Sequence, residues 1–198
     1  ALGKTTTGTD NTALGTNALD DHTTGNYNVA VGKHALTANT TASENTALGT
    51  TSLYTNETGS GNTAVGMEAL KMSLNGSYNT AIGRRALDAN TSGSYNTALG
   101  NSSLDGNTSA SGNTGLGTQA LQNNETGANN VAVGYKAGIK ISSGDENTII
   151  GKEVAKELTT GGENVIIGSG IASVADTLTT GGRNVMVARN ADFAASNR

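Results

Sequence analysis

The side chains that could take part in catalysis or metal binding are few, and they are spread along the chain. Of the only two histidines, His34 lies just after a turn glycine and His22 lies in a polar loop. We expect both to be solvated loop residues with no complete catalytic triad around them. The acidic residues are scattered over loops and lack the spacing of an EF-hand or of glycine–aspartate calcium repeats. The chain has no cysteine, which excludes thiolate metal sites and disulfides. The sequence therefore predicts a protein that is not an enzyme and holds no metal or cofactor.

Asparagine is the residue type with the most regular spacing, because it recurs every 17 residues and once, at the end, after 20. The positions are Asn11, Asn28, Asn45, Asn62, Asn79, Asn96, Asn113, Asn130, Asn147, Asn164 and Asn184. Stacked coils would place these residues in one column, where their amides bond to neighbouring turns and to each other. We predict such a structural ladder; a ligand-binding groove lined with amides is the alternative.

Each of these asparagines opens a repeated unit that reads Asn-(Thr/Val)-Ala-(Leu/Ile/Val)-Gly, followed three residues later by a small residue and usually a leucine. Seventeen residues are too few for two packed helices, and the β-branched residues at key positions favour strands. The sequence predicts an all-β fold, a parallel β-roll or β-solenoid with two short strands per coil, on the order of 50 Å long. We expect an incomplete first coil in residues 1–10, eleven repeats in 11–188 and an exit segment in 189–198.

Alternate residues of a strand share a face, so each predicted strand has an inner and an outer set of side chains. We expect the aliphatic column that begins with Leu14 and Val31 to face inward, together with Thr12 and its equivalents. The alanine column that begins with Ala13 and Ala30 would then form a smooth outer stripe. Each coil buries few aliphatic side chains, so association along this stripe in cyclic symmetry would add the missing burial. The alternative is that alanine merely fits a tight corner.

The overall composition excludes two classes of partner. The net charge is −4 and the lysines and arginines form no basic stripe, so we predict no nucleic-acid binding. No apolar run approaches the length that spans a bilayer, so we predict no membrane insertion. The chain starts at Ala1 inside the repeat pattern and without a signal peptide, which is typical of a fragment or a processed product.

The repeated unit resembles the head repeat of trimeric autotransporter adhesins and the related repeats of phage tail-fibre proteins. The resemblance extends from Leu2 to about Ala188. It implies a left-handed parallel β-roll, a homotrimer, and an extracellular role in attachment on a virion tail fibre or a cell surface. The 17-residue unit is longer than the shortest adhesin-head coils, and no coiled-coil stalk, membrane anchor or basic neck is present. The trailing Ala-Leu of each unit is more similar to phage-type fibres.

The resemblance implies a structural and receptor-binding module whose partner is a host-surface glycan or protein. Tyr27, Tyr78 and Tyr95 share the position just before the column asparagine, where they could stack on sugars; packing between subunits or over a turn is the alternative. Variable loop positions such as Arg84 and Arg85 complete the candidate surface contacts.

Two other functions compete with the fibre hypothesis. A monomeric ice-binding solenoid is indicated by the threonine column, but ice binding requires that column on a flat exposed face, and we expect it to face inward with the leucines. An enzyme acting on polysaccharide at a groove between subunits has the least support, because repeated columns do not bring unlike residues together.

Overall fold

The computed structural model describes residues 2–4, 6–169 and 179–189. Each repeat contributes one short strand, and the eleven strands form one parallel sheet in which sequence order is also spatial order. The strands are β1 Thr12–Leu14, β2 Val29–Val31, β3 Thr46–Leu48, β4 Thr63–Val65, β5 Thr80–Ile82, β6 Thr97–Leu99, β7 Thr114–Leu116, β8 Val131–Val133, β9 Thr148–Ile150, β10 Val165–Ser169 and β11 Val185–Arg189. The chain is therefore a β-solenoid of about ten turns, as the sequence predicts.

Successive coils stack in strict register, so that residues 17 apart lie one above the other. In the first pair of strands, Thr12 lies opposite Val29 and Leu14 lies opposite Val31. The backbone ladder continues through the turns, where for example the Leu19 N–H donates to the Ala35 carbonyl at 3.0 Å. Parallel pairing of this kind satisfies the backbone polar groups of each coil with the coils on either side.

The second half of each coil is a series of turns, so the prediction of a second strand per coil is wrong. The leucine of this segment takes a left-handed backbone conformation in seven coils; its φ is 51° at Leu19, in the first of them, and 51° at Leu121, in the last. Two residues earlier the backbone is left-handed as well, for example at Asn17. Because left-handed residues reverse the chain direction sharply, they prevent an extended segment and fold the coil into a small cross-section.

The alanines of the strands face the interior, and the aliphatic column faces outward, which reverses the predicted orientation. Ala30, Ala47 and Ala64 are completely buried, whereas Leu14 and Leu48 are exposed. The reason is the narrow cross-section of the coil. The leucine of the turn segment already fills the interior, and only a methyl group fits opposite it. The inward side chains are Ala18, Leu19, Ala30, Ala35, Leu36 and their equivalents in later coils.

The core becomes more aliphatic toward the C-terminal end. Ile149 and Ile166 replace the strand alanine and are buried, and Gly138 and Ala155 replace the leucine. A Cβ added at Gly138 would lie 3.0 Å from Cδ1 of Ile149. Ile141 Cδ1 lies at 3.1 Å from the same point, so the two isoleucines together occupy space beside Gly138 that leucine fills elsewhere.

The two ends of the array are where the sequence predicts an incomplete first coil and an exit segment. The incomplete first coil stacks on the next one, since the Leu2 N–H donates to the Ala18 carbonyl and the Thr6 N–H to the Thr23 carbonyl, both at 3.0 Å. The predicted exit segment 189–198 lies outside the described residues except for Arg189, which ends β11.

Candidate functional site

The asparagine column lies inside the solenoid, and its side-chain amides form hydrogen bonds with backbone groups. Asn96 is representative: its Nδ2 donates to the Ala110 carbonyl at 2.9 Å, and its Oδ1 accepts the backbone N–H of Asn113 at 2.9 Å. The column is buried from Asn28 to Asn164. Each amide thus joins the strand entry of one coil to the corner of the next, and it has no access to a ligand.

A second buried asparagine column lies on the other side of the interior, eleven residues after the first. Its members are Asn39, Asn56, Asn90, Asn107 and Asn124, all with no exposed surface. Asn107 Nδ2 donates to Asn90 Oδ1 at 2.9 Å and also to the carbonyl three residues ahead. The constant offset of eleven residues from the first column is the sequence signal for this ladder.

His22 occupies the first position of this second column, so the prediction that it is a solvated loop residue is wrong. It is completely buried. Its Nε2 lies 2.8 Å from the Gly25 carbonyl, and its Nδ1 lies 3.3 Å from Asn39 Nδ2. Asn11 Nδ2 also lies 3.2 Å from Nε2 and donates to the same Gly25 carbonyl at 2.9 Å, so the ring lies between the amides of both asparagine columns. This histidine stands in for an asparagine amide and has no catalytic partner in this arrangement.

The outer face of the sheet carries two side-chain columns that contain no charged residue. One is Thr12, Val29, Thr46, Thr63, Thr80, Thr97, Thr114, Val131, Thr148, Val165 and Val185, and the other is Leu14, Val31, Leu48, Val65, Ile82, Leu99, Leu116, Val133, Ile150, Ile167 and Val187. All of these side chains are exposed or half-exposed. We call this surface the outer sheet face. It is roughly 50 Å long, and its second column is an exposed aliphatic stripe that runs through every coil.

The three predicted tyrosines lie at the corner that precedes each strand, all with left-handed backbone and exposed rings. Tyr78 and Tyr95 lie in consecutive coils and stack on each other, with ring centroids 5.3 Å apart and an angle of 13° between the planes. Tyr27 is separated from them, because the intervening coils carry Glu44 and Gly61 in this column. The tyrosine position is therefore a surface column, and two of its members form one continuous aromatic platform.

The two predicted arginines differ in their surroundings. Arg84 is exposed. Arg85 bonds through Nε to Asp88 Oδ2 at 3.3 Å and lies 3.4 Å from Asp105 in the next coil. Burial raises the pKa of Asp105 above its ordinary value, and the Arg85 guanidinium offsets only part of that increase. Arg85 therefore belongs to an ion cluster that joins two coils.

The raised pKa of Asp105 predicts that Asp105→Asn stabilises the protein at neutral pH. The folded chain holds the carboxyl proton of Asp105 more tightly than the unfolded chain does. Ionising Asp105 therefore lowers the free energy of unfolding as pH rises through its raised pKa. An amide is accommodated in this column, where Gln122 occupies the next coil. We expect urea unfolding at pH 7 to give a higher midpoint for the variant than for the wild type. The difference should disappear near pH 3, below the ordinary aspartate pKa of about 3.9, where both forms are neutral. A lower midpoint at pH 7 would show that the ion pair with Arg85 dominates.

The described residues contain no group of three or more His, Asp or Glu side chains that could hold a metal ion. Within the same ranges there is no helix long and apolar enough to cross a bilayer. A surface cleft near the C-terminal end is lined by Ile139 and by lysines and glutamates, among which Lys140 pairs with Glu157. No protein-family model, curated protein or solved structure matches this chain.

Proposed function

We propose that this chain is a non-enzymatic segment of a surface or tail fibre, in which three copies associate through the outer sheet face and present the corners and loops to a host surface. The observation that carries the proposal is the outer sheet face itself: two continuous exposed columns without a charged residue, one of which has an aliphatic side chain in every coil. The number of copies, the left-handed winding and the extracellular location follow from the resemblance to adhesin heads and tail fibres.

The physical argument for association is the exposure of large aliphatic side chains on an unpartnered sheet. Leu99 in the middle of the array retains 40% of its surface and Leu14 at the end retains 67%. Burying apolar area contributes about 25 cal/mol per Å², and closed cyclic packing removes this stripe from water in every copy at once. The alanine stripe considered from sequence has no such role, because it is already inside the coil.

The mass of the folded protein in solution tests this proposal. Light scattering should give about three times the chain mass of 19.7 kDa, independent of dilution over the micromolar range. A monomer would overturn the trimeric fibre, since the outer sheet face would then have no partner of its own kind.

Ice binding gains support from one observation and is the second candidate. The threonine column lies on the outer sheet face, with Thr12 and Thr97 among its exposed members, and not inward as expected from sequence. Regularly spaced hydroxyl and methyl groups on a flat surface are the feature this activity requires. The column is interrupted by Val29, Val131, Val165 and Val185, which favours packing over ordered water. A monomer that shows thermal hysteresis would move this function to first place, and a trimer without it would exclude it.

A further inference from the structure

We propose that the gap above the Tyr95 ring is a binding slot for one neutral pyranose ring of a host glycan. This inference rests on the proposed fibre function and names the class of ligand that the fibre contacts. The side chains of the tyrosine column lean in one direction along the solenoid axis. A Cβ added at Gly61 would lie 2.7 Å from Cδ1 of Tyr78, and one at Gly112 would lie 2.4 Å from Oδ1 of Asn129. Each side chain therefore lies over the preceding coil.

The same lean places the Tyr95 ring over Tyr78, which agrees with their stacked geometry. The next residue of the column is Gly112, which has no side chain to cover the other face of Tyr95. The following side chain, Asn129, lies over Gly112 itself. Two coil spacings of about 4.8 Å separate the Tyr95 ring from the Asn129 amide, so the gap is about 9.6 Å. One further ring fits there at about 4.8 Å from each wall, which is an ordinary stacking separation.

The chemistry of the walls favours a sugar over other ring compounds. The C–H groups on one face of a pyranose carry partial positive charge and meet the negative face of the tyrosine ring, while they bury apolar area. On the opposite wall the Asn129 amide offers a donor and an acceptor for ring hydroxyls. Ser111 lies beside the gap, and its Oγ accepts the Ser94 N–H at 3.0 Å. None of the hydrogen bonds among the described residues uses the Ser111 hydroxyl as a donor, so that hydrogen is free for a ligand.

The surroundings also exclude a charged ligand. The five coils around the slot carry no charged residue in the tyrosine column or in the position before it: these residues are Ser60, Gly61, Ser77, Tyr78, Ser94, Tyr95, Ser111, Gly112, Ala128 and Asn129. The column becomes acidic beyond them, at Glu44 and Glu146. A phosphate, sulfate or sialic acid would find no cation here to offset its desolvation. A neutral hexose or N-acetylhexosamine fits the slot best.

A single stacked ring gives weak binding, with a Kd on the order of 1–10 mM. Three copies of the slot around one fibre would raise the strength of attachment through effective concentration without further contacts. Tyr95 in this proposal is a binding residue, and Gly112 is the residue whose missing side chain opens the slot.

The test is saturation-transfer NMR on the whole protein with three probes: the methyl glycosides of glucose, galactose and N-acetylglucosamine. We expect transfer to the ring protons of at least one probe, and loss of that transfer in Tyr95→Ala. Gly112→Asn should abolish it as well, because it fills the slot with the residue that the column already carries at Asn129, and asparagine tolerates the left-handed backbone. Tyr27→Ala is the matched control and should bind like the wild type.

Light scattering and a thermal unfolding midpoint on each variant keep the possible failures distinct. Undiminished transfer in both Tyr95→Ala and Gly112→Asn would overturn the slot, and so would a folded trimer that binds none of the three probes. Transfer to free tryptophan but to no glycoside would identify an aromatic side chain of a protein partner as the occupant and overturn the sugar assignment. A monomer that binds a glycoside in a Tyr95-dependent manner would support the slot and overturn only the trimeric fibre.

Discussion

Replacing Gly117 by alanine is expected to destabilise the array severely, lowering its free energy of unfolding by about 2–6 kcal/mol. Gly117 has φ 132°, a backbone conformation that L side chains rarely adopt. A Cβ added there would lie 2.6 Å from the Gly134 carbonyl oxygen of the next coil. Relief of that clash would separate coils that are joined by the bond from Gly134 N–H to the Leu116 carbonyl. Urea unfolding followed by far-ultraviolet circular dichroism, at one fixed protein concentration, measures the loss.

Gly115→Ala is the matched control, because it makes the same chemical change two residues earlier in the same coil. Gly115 occupies the strand position that is alanine in most coils, and its added Cβ would meet Ser103 Oγ, which donates to the Gly115 carbonyl at 2.9 Å and would have to turn to another acceptor. Ser52 shows the alternative, since its hydroxyl bonds to the Gly49 carbonyl beside a strand that carries Ala64. We expect Gly115→Ala to be neutral or to stabilise by up to about 1 kcal/mol. Equal losses for both variants would contradict the steric argument.

The contrast between these glycines illustrates which part of the fold could be predicted from sequence. The 17-residue period identifies the coil, the parallel register and the corner at Gly117, because identical residues at constant spacing can only stack in register. The period cannot say which set of alternating strand residues faces inward. That choice depends on the width of the coil, and the width depends on the left-handed turn at Leu104 and its equivalents, which place a second set of large side chains inside.

The candidate site could be predicted from the sequence to a similar extent. The shared column of Tyr27, Tyr78 and Tyr95 was visible, and so was the fact that only the last two lie in consecutive coils. The lean of each side chain over the preceding coil was not, because it depends on the left-handed backbone at that corner. Without the lean, Gly112 is merely another turn glycine, and the uncovered face of Tyr95 cannot be inferred.

The largest functional effect is expected for Leu99→Glu, which should convert a trimer into a monomer without unfolding the coil. Leu99 lies at the middle of the outer sheet face, where the single chain leaves 40% of it exposed. In the proposed trimer three glutamates would meet in an apolar interface, where each carboxylate loses its hydration and repels the others. The mass measured by light scattering should therefore fall from about three chain masses to about one, while the β-sheet signal in circular dichroism persists.

Asn101→Glu supplies the control for this substitution, since it adds the same charge to the same coil at an exposed position beyond the turn glycine. It should leave the mass unchanged, because the turn segment lies outside the outer sheet face. If Leu99→Glu retained the wild-type mass, the aliphatic columns could not be the contact between chains. If both variants dissociated, added charge in this coil would disrupt assembly regardless of face. Dissociation by Leu99→Glu alone would assign the contact between chains to the outer sheet face.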